Sequence, residues 1–239
     1  VICSLTGLSR LFLGGNKITE LPSELSGLTC LNWLDLRSNW LTDCPGDISY
    51  LPNLTRLILD HNDLTELVID PSNLERLAFL SLAGNQIRSV STSIAGLPRL
   101  VGLDLSGNSL SEFPVAITLL KSLKYLNLRF NQLTTLPDSI EKLDGLTYLE
   151  LSENQLTELT PSVASLERLT ELYLNRNKLT SLPQGIWELE SLFGLYLSDN
   201  ELREVPSVPW DLFFGTFHDG SKESKKLLAK RLKLKNRKF

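Results

Sequence analysis

Side chains that could catalyse a reaction are few in this 239-residue chain. It has two histidines, His61 and His218, separated by most of the sequence. Asp60 and Asp63 lie on either side of His61, as in half of a metal or acid–base site, but no second His or Cys ligand falls on a neighbouring turn. Glycine-rich phosphate loops and nucleophile elbows are also missing from the sequence. We therefore interpret His61 as a solvated side chain and expect no enzymatic activity, no metal site and no cofactor.

The aromatic and arginine residues of the chain are suited to binding a partner. Aromatic and arginine side chains recur in series of positions spaced by 23 residues. Trp, Tyr and Arg are the types that dominate the energetics of protein interfaces. The candidate binding residues are Arg10, Phe12, Trp33, Arg37, Arg56, Ile58, Phe79, Tyr125, Arg129, Phe130, Tyr148, Tyr173, Arg176 and Tyr196.

The 23-residue interval also indicates which structural elements hold these side chains. Nine asparagines repeat at 23 residues: Asn16, Asn39, Asn62, Asn85, Asn108, Asn131, Asn154, Asn177 and Asn200. This regularity predicts a stacked array of similar units. Each asparagine follows a strand, where its amide can hydrogen-bond the backbone of adjoining loops. We therefore expect a structural asparagine ladder and assign these residues no other function.

The apolar frame around each asparagine has a direct structural interpretation. Alternation in Leu149-x-Leu151 is the period of a strand with one buried face. The spacing in Leu182-Pro183-x-x-Ile186-x-x-Leu189 indicates a tight turn or a single helical turn on the opposite side. One such unit cannot fold alone, whereas a stack that shares its faces can.

This frame resembles the leucine-rich repeat of the intracellular 23-residue, Ras-group-like class, and the resemblance extends from Ile2 to about Leu212. It implies an α/β repeat solenoid: a right-handed horseshoe with a concave parallel sheet of about nine strands. The convex segments are expected to be short helical, 3-10 or irregular. The third unit, at 67–74, and the fourth, where Ser91 replaces proline, predict convex loops of different shape.

The chain divides into three expected regions, of which the last is a basic, helical tail at 221–239. Residues 1–204 form the repeat array, which opens inside the tail of a preceding repeat without a polar cap, so we expect it to continue upstream. Residues 205–220 form a partial tenth repeat. Its expected leucine positions are Gly215, His218 and Gly220, which predicts that no strand follows. Trp210, Phe213, Phe214 and Phe217 are then expected to form a hydrophobic cap, with Trp210 over Trp187.

Two binding patches are predicted on the concave side. Neighbouring strands lie about 4.8 Å apart, so Tyr125 should touch Tyr148, and Tyr173 should touch Tyr196. Between the patches the fifth unit offers only small or acidic side chains, namely Gly102, Asp104, Ser106 and Gly107. Alternatively, the aromatic pairs serve only to stabilise the sheet.

Charge narrows the class of partner. Residues 1–220 contain 15 basic and 27 acidic side chains, and both signs occur on the concave positions. This balance disfavours nucleic acid, which requires a basic stripe, and favours a protein or peptide. The tail, residues 221–239, has nine basic side chains and one acidic side chain. It is expected to pack as a helix or to begin a linker; attraction to an anionic membrane surface or to nucleic acid is the alternative.

Cysteine usage bears on the compartment. Of the three cysteines, Cys44 takes a leucine position and is expected to be buried, while Cys3 and Cys30 take surface positions where a bridge between them is a minor alternative. A reducing, cytoplasmic compartment fits this pattern. Some similar proteins are bacterial effectors, which gives a secreted effector acting in a host cytosol as the alternative.

The resemblance implies a non-enzymatic protein-interaction module, with a signalling scaffold or an effector as the expected role. The alternatives are the substrate-targeting domain of a larger enzyme, such as a ubiquitin ligase, kinase or GTPase, and a pathogen virulence protein.

Overall fold

The computed structural model describes residues 5–203 and one further strand at 216–218. Each 23-residue unit contributes a short strand to one side of the molecule, and seven units contribute a 3-10 helix to the other. The strands are β1 (Arg10–Phe12), β2 (Trp33–Asp35), β3 (Arg56–Ile58), β4 (Glu66–Leu67), β5 (Phe79–Ser81), β6 (Ser89–Val90), β7 (Gly102–Asp104), β8 (Tyr125–Asn127), β9 (Tyr148–Glu150), β10 (Glu171–Tyr173), β11 (Gly194–Tyr196) and β12 (Thr216–His218).

The main sheet has ten parallel strands in the order β1-β2-β3-β5-β7-β8-β9-β10-β11-β12. From β1 to β11 each strand pairs with the strand 23 residues further on, so Leu11 lies beside Leu34 and Leu126 lies beside Leu149. Parallel neighbours require a long crossover, which here is the remainder of each unit. The predicted repeat solenoid with a parallel sheet is confirmed, and we call the sheet side the concave face.

The last strand corrects one prediction, because we expected no strand after β11. β12 forms and pairs with β11, with Phe217 opposite Leu195. The interval between these two residues is 22 and not 23. This one-residue shift brings Phe217, and not His218, to the register of the central leucine.

The convex side consists of 3-10 helices at Ser23–Gly27, Gly46–Tyr50, Thr92–Gly96, Val115–Leu119, Asp138–Lys142, Pro161–Ser165 and Gln184–Glu188. Five of them have proline at the N-cap, with φ between −62° and −76°. Proline is restricted to this range of φ, so it fixes the entry to the helix. At Ser91 and Thr160 the side-chain hydroxyl instead accepts a hydrogen bond from Ser93 N or Ser162 N.

Of the two units predicted to have convex segments of different shape, the third lacks the 3-10 helix and the fourth keeps it. In the third unit a turn replaces the 3-10 helix, and β4 pairs with β6 in a separate two-stranded parallel sheet. The fourth unit keeps its helix, Thr92–Gly96, because Ser91 supplies a cap where other units have proline.

The core is a continuous column of leucines between sheet and helices. The inward leucines at the centres of the strands, such as Leu57, Leu103 and Leu149, have no solvent exposure. Cys44, which was predicted to be buried, is partly buried and packs against this column, and desolvation raises the pKa of its thiol to about 12.

The asparagines form the expected ladder, for which Asn131 is representative. Its Nδ2 donates to Leu105 O at 2.9 Å in the preceding unit and to Leu128 O at 3.1 Å in its own. Its Oδ1 accepts from Leu110 N at 3.0 Å. The seven asparagines from Asn39 to Asn177 are 4–8% exposed, so they link successive units through buried bonds.

Within the described residues, no helix is long and apolar enough to cross a membrane. Several predictions fall on parts of the chain beyond those residues: the positions of Trp210, Phe213 and Phe214, the form of the tail at 221–239, and any bridge to Cys3.

Candidate functional site

The concave face carries two columns of outward side chains on either side of the buried central leucines. Strand register places Arg10, Trp33, Arg56, Phe79, Gly102, Tyr125, Tyr148, Glu171 and Gly194 side by side in the first column. The second column begins at Phe12 and ends at Tyr173 and Tyr196. The predicted binding residues on the strands therefore share one surface.

The first half of this surface alternates arginines and aromatic rings. The guanidinium carbon of Arg56 lies 4.8 Å from the Trp33 ring centroid and 4.9 Å from that of Phe79. Arg10 lies 5.7 Å from Trp33, and Phe12 meets Trp33 edge-on with centroids 5.2 Å apart. Stacking of this kind contributes about 0.5–2 kcal/mol per cation–π pair and holds the planar groups in order.

The second half is a ladder of four tyrosines. Tyr125 and Tyr148 stack at 4.6 Å, and Tyr173 and Tyr196 stack at 4.1 Å with ring planes only 2° apart. Both pairs were predicted. Tyr148 and Tyr173, which belong to different columns, also meet at 5.2 Å, so the ladder crosses from the first column to the second.

The two halves are not separated in the way that the sequence predicted. Phe79 lies over the vacant position at Gly102, where a Cβ atom would be only 2.5 Å from Phe79 Cδ2. The Phe79 and Tyr125 rings consequently approach to 6.5 Å. The two halves therefore form one continuous stack, which we call the aromatic ladder and which consists of Arg10, Trp33, Arg56, Phe79, Tyr125, Tyr148, Tyr173 and Tyr196.

Polar residues of the second column hold the backbone beyond the strands. Asp35 Oδ1 accepts from Arg37 N at 3.1 Å and pairs with the Arg37 guanidinium; that hydrogen bond raises the pKa of Arg37. Glu150 Oε1 accepts from Ser152 N at 2.7 Å in the same manner. These carboxylates already accept hydrogen bonds from the protein itself, so we assign them a structural role and not a role in ligand binding.

Asp60 lies two residues beyond Ile58 of the second column, and its carboxylate also forms hydrogen bonds within the protein. It accepts hydrogen bonds from Ser81 Oγ at 2.5 Å and from Ala83 N at 3.0 Å. Burial raises the pKa of Asp60, although these hydrogen bonds act in the opposite direction. Its neighbour His61 is exposed, as predicted. The described residues contain no cluster of three His, Cys, Asp or Glu side chains able to hold a metal ion.

An ion-pair network lies along the rim of the second half. Glu153 accepts from Arg129 at 2.9 Å and from Arg176 at 3.0 Å, and Arg176 also contacts Asp199 at 3.4 Å. Arg129 lies 4.5 Å from the ring of Phe130, which is 49% exposed. Arg129, Phe130 and Arg176 are thus brought together as predicted, but both arginines are already paired.

A left-handed backbone position precedes every asparagine of the ladder, and sequence reasoning missed it. The residues with φ between 53° and 73° there are Gly15, Ser38, His61, Gly84, Gly107, Phe130, Glu153, Arg176 and Asp199. The three glycines were the available signal, because glycine adopts this conformation without strain. A bulky phenylalanine does not, which makes Phe130 the exceptional residue of the set.

Ile58 is the one candidate that the structure does not place on open surface. It occupies the second column between Asp35 and Ser81 but is only 5% exposed. We therefore remove Ile58 from the candidate binding residues.

The hydroxyls of Tyr125, Tyr148 and Tyr173 keep their protons over a wide pH range. Burial raises the pKa of Tyr125, Tyr148 and Tyr173, and nearby carboxylates raise it further. In Tyr173 the hydroxyl also donates to Glu171. The ladder can therefore offer aromatic ring edges and protonated hydroxyls to a ligand at neutral pH, although the Tyr173 hydroxyl already donates its proton to Glu171.

Comparison with known proteins identifies the fold family. A family model described as "Leucine-rich repeat region" matches residues 117–208, and one described as "Leucine rich repeat" matches residues 52–110. With the confirmed repeat register and asparagine ladder, these matches show that the chain belongs to the leucine-rich repeat family. No curated protein matches the chain significantly.

Solved structures agree with this assignment. An internalin, InlF from Listeria monocytogenes, superposes with a TM-score of 0.78 at 26% identity, over 92% of this chain and 63% of the internalin. The ectodomain of the Arabidopsis thaliana receptor kinase GASSHO1/SCHENGEN3, in complex with CASPARIAN STRIP INTEGRITY FACTOR 2, gives 0.76 at 34% identity. The plant peptide hormone receptor RGFR1, in complex with RGF2, gives 0.64 at 30% identity.

The two receptors are much longer than the matched region. This chain is covered over 91% and 83% of its length in the two comparisons, yet it spans only 28% and 37% of the receptor chains.

Proposed function

We propose that this chain is a protein-interaction module that binds a protein or peptide partner on its concave face, with the aromatic ladder as the main contact. The observation that carries the proposal is the continuity of the ladder. Eight side chains rich in Tyr, Trp and Arg lie in register on a rigid sheet, and these types dominate interface energetics.

The ladder is better suited to a peptide than to a flat aromatic or sugar ligand. In Tyr125–Tyr148 and Tyr173–Tyr196 the ring faces are occupied by one another. The outward groups are therefore ring edges, which carry the positive part of the aromatic quadrupole, together with protonated hydroxyls. Both attract oxygen acceptors such as backbone carbonyls and carboxylates.

Two structural neighbours supply independent support. GASSHO1/SCHENGEN3 and RGFR1 were each solved with a bound factor, CASPARIAN STRIP INTEGRITY FACTOR 2 and RGF2 respectively. A chain of the same family with an ordered surface of mixed charge is suited to ligands of that general class.

A signalling scaffold in the cytoplasm is the biological role that we propose. Cys30 and Cys44 are free thiols, which accords with a reducing compartment. The second candidate is the targeting part of a larger enzyme, since one structural neighbour is the LRR ectodomain of a receptor kinase.

Capture from a native lysate of the source organism, followed by mass spectrometry, tests the proposal. Three baits are compared: the unchanged chain, the Tyr148→Ala/Tyr173→Ala variant and the Tyr50→Ala variant. Tyr50 is a matched control because it is 59% exposed on the convex side, at the end of a 3-10 helix. A partner lost only from the double variant supports the proposal; an identical partner set for all three folded baits contradicts it.

A further inference from the structure

Two arginines at the beginning of the concave face are held in place but have no anion to bind. Arg10 on β1 and Arg56 on β3 stack against Trp33 on β2, at 5.7 and 4.8 Å from its ring centroid. Both arginines are exposed. Among the described residues, neither guanidinium forms a hydrogen bond or an ion pair with a carboxylate.

The carboxylates closest in register are already satisfied. Asp35 is paired with the guanidinium of Arg37 at 2.7 Å. Asp60 accepts from Ser81 Oγ and Ala83 N. Neither is free to neutralise Arg10 or Arg56, so this part of the surface presents uncompensated positive charge.

The arginines at the other end of the face are in a different state. Arg129 and Arg176 share Glu153, at 2.9 and 3.0 Å. An incoming anion would have to compete with that carboxylate. The open cationic donors of the aromatic ladder are therefore confined to β1–β3.

Stacking also prepares these two side chains for a particular ligand chemistry. A guanidinium packed by its face against an aromatic ring keeps its in-plane N–H donors available, and that planar fork matches a carboxylate. Because the side chains are already ordered, less conformational entropy is lost on binding. Between them, the buried Nε1–H of Trp33 has no hydrogen-bond partner in the structure.

We propose that Arg10, Trp33 and Arg56, here called the arginine clamp, select partners with a short acidic segment that lies across β1–β3. The inference rests on the proposed function, since it names the chemistry of the ligand on the same face. Arg10 and Arg56 are two strands apart, about 9.6 Å, which an extended peptide covers in about three residues. The clamp therefore takes two Asp or Glu side chains that the peptide presents on one face, about 9.6 Å apart.

A peptide is favoured over a phosphate polymer or an anionic bilayer. Residues 1–220 contain 27 acidic and 15 basic side chains, so the net charge of this part of the chain is negative. A long polyanion would be repelled by this field, whereas a short segment reaches the clamp alone and places its neighbouring residues on the tyrosines.

The test is selection of a random dodecapeptide display library on the complete chain. Selection is repeated on Arg10→Gln/Arg56→Gln, on Tyr148→Ala/Tyr173→Ala and on Arg99→Gln/Arg168→Gln. Arg99 and Arg168 are exposed in the turns before β7 and β10, so this last variant loses the same charge away from the concave face. It also leaves the basic tail unchanged as a competing site for acidic peptides.

The proposal predicts selected peptides rich in Asp and Glu, and it predicts that this enrichment disappears only in Arg10→Gln/Arg56→Gln. The affinity of one synthesised peptide, measured by fluorescence anisotropy, should fall about tenfold for each arginine removed and should weaken with added salt.

Three results would overturn the proposal. Peptides that require the tyrosines but show no acidic preference would refute the clamp and leave the proposed function standing. Peptides insensitive to both concave variants would refute both. Tighter, arginine-dependent binding of single-stranded DNA or phosphatidylserine vesicles would show that the clamp recognises phosphate instead.

Discussion

Replacement of Asn131 by alanine is the most direct perturbation of the asparagine ladder. Asn131 is 7% exposed and its amide joins two successive units. The change removes the acceptor for Leu110 N, for which no other partner is seen, and the donor to Leu105 O and Leu128 O. The side chain makes no contact that defines the concave binding surface.

The magnitude follows from what each backbone group retains. Leu105 O still accepts from Asn108 at 3.0 Å, and Leu128 O still accepts from Asn154 at 2.9 Å. Each carbonyl therefore loses one of two bonds, whereas the buried N–H of Leu110 is left without any. One unsatisfied donor costs about 1–3 kcal/mol and each of the two lost bonds about 0.5–1 kcal/mol, so the free energy of unfolding should fall by about 2–5 kcal/mol.

Urea unfolding followed by circular dichroism and tryptophan fluorescence measures this loss. Asn16→Ala is the control, because Asn16 is exposed and, within residues 5–203, bonds only to Leu13 O and Gly14 O; it should cost less than about 1 kcal/mol. Equal stabilities for the two alanine variants would refute the view that the ladder holds neighbouring units together.

Three further predictions concern tyrosine titration, backbone strain and thiol reactivity. The pKa of Tyr148 and Tyr173 is raised by burial and by neighbouring carboxylates. Their contribution to stability is therefore present below pH about 10 and is lost as the pH rises above that value. Urea unfolding between pH 8 and 11 should show this fall in stability, and replacement of both residues by Phe should remove the fall. Phe130→Gly should keep or raise the free energy of unfolding by up to about 1 kcal/mol, because glycine relieves the left-handed conformation, yet it should weaken partner binding; a clear loss of stability in urea would contradict the strain. In a Cys3→Ser variant, Cys44 should react with maleimide at pH 7.5 far more slowly than exposed Cys30, because burial raises the pKa of Cys44 to about 12. Equal labelling rates would show that Cys44 is accessible.

Much of the fold could be predicted from the sequence because a fixed interval becomes a fixed register. Residues 23 apart on successive turns must lie side by side, so the stacking of Tyr125 on Tyr148 follows from counting alone. The asparagine ladder was predictable for the same reason. Where the interval changes to 22, between Leu195 and Phe217, counting failed and the strand was missed.

The finer geometry of the site depends on side-chain directions that spacing does not encode. Phe79 leans over Gly102 and joins two patches that the sequence separates. Ile58 is covered although it occupies an outward position. Spacing also does not predict that Arg129 pairs with Glu153. Nor does it predict that Arg56 has no such partner among the described residues.

The central claim, binding through the aromatic ladder, is tested most directly by calorimetric titration of a captured partner. The affinity of the chain should fall more than about 30-fold in Tyr148→Ala/Tyr173→Ala, which corresponds to the loss of two interface hot spots at about 2 kcal/mol in total. Tyr50→Ala should bind normally. Unchanged affinity in a double variant whose circular dichroism shows it to be folded would contradict the account.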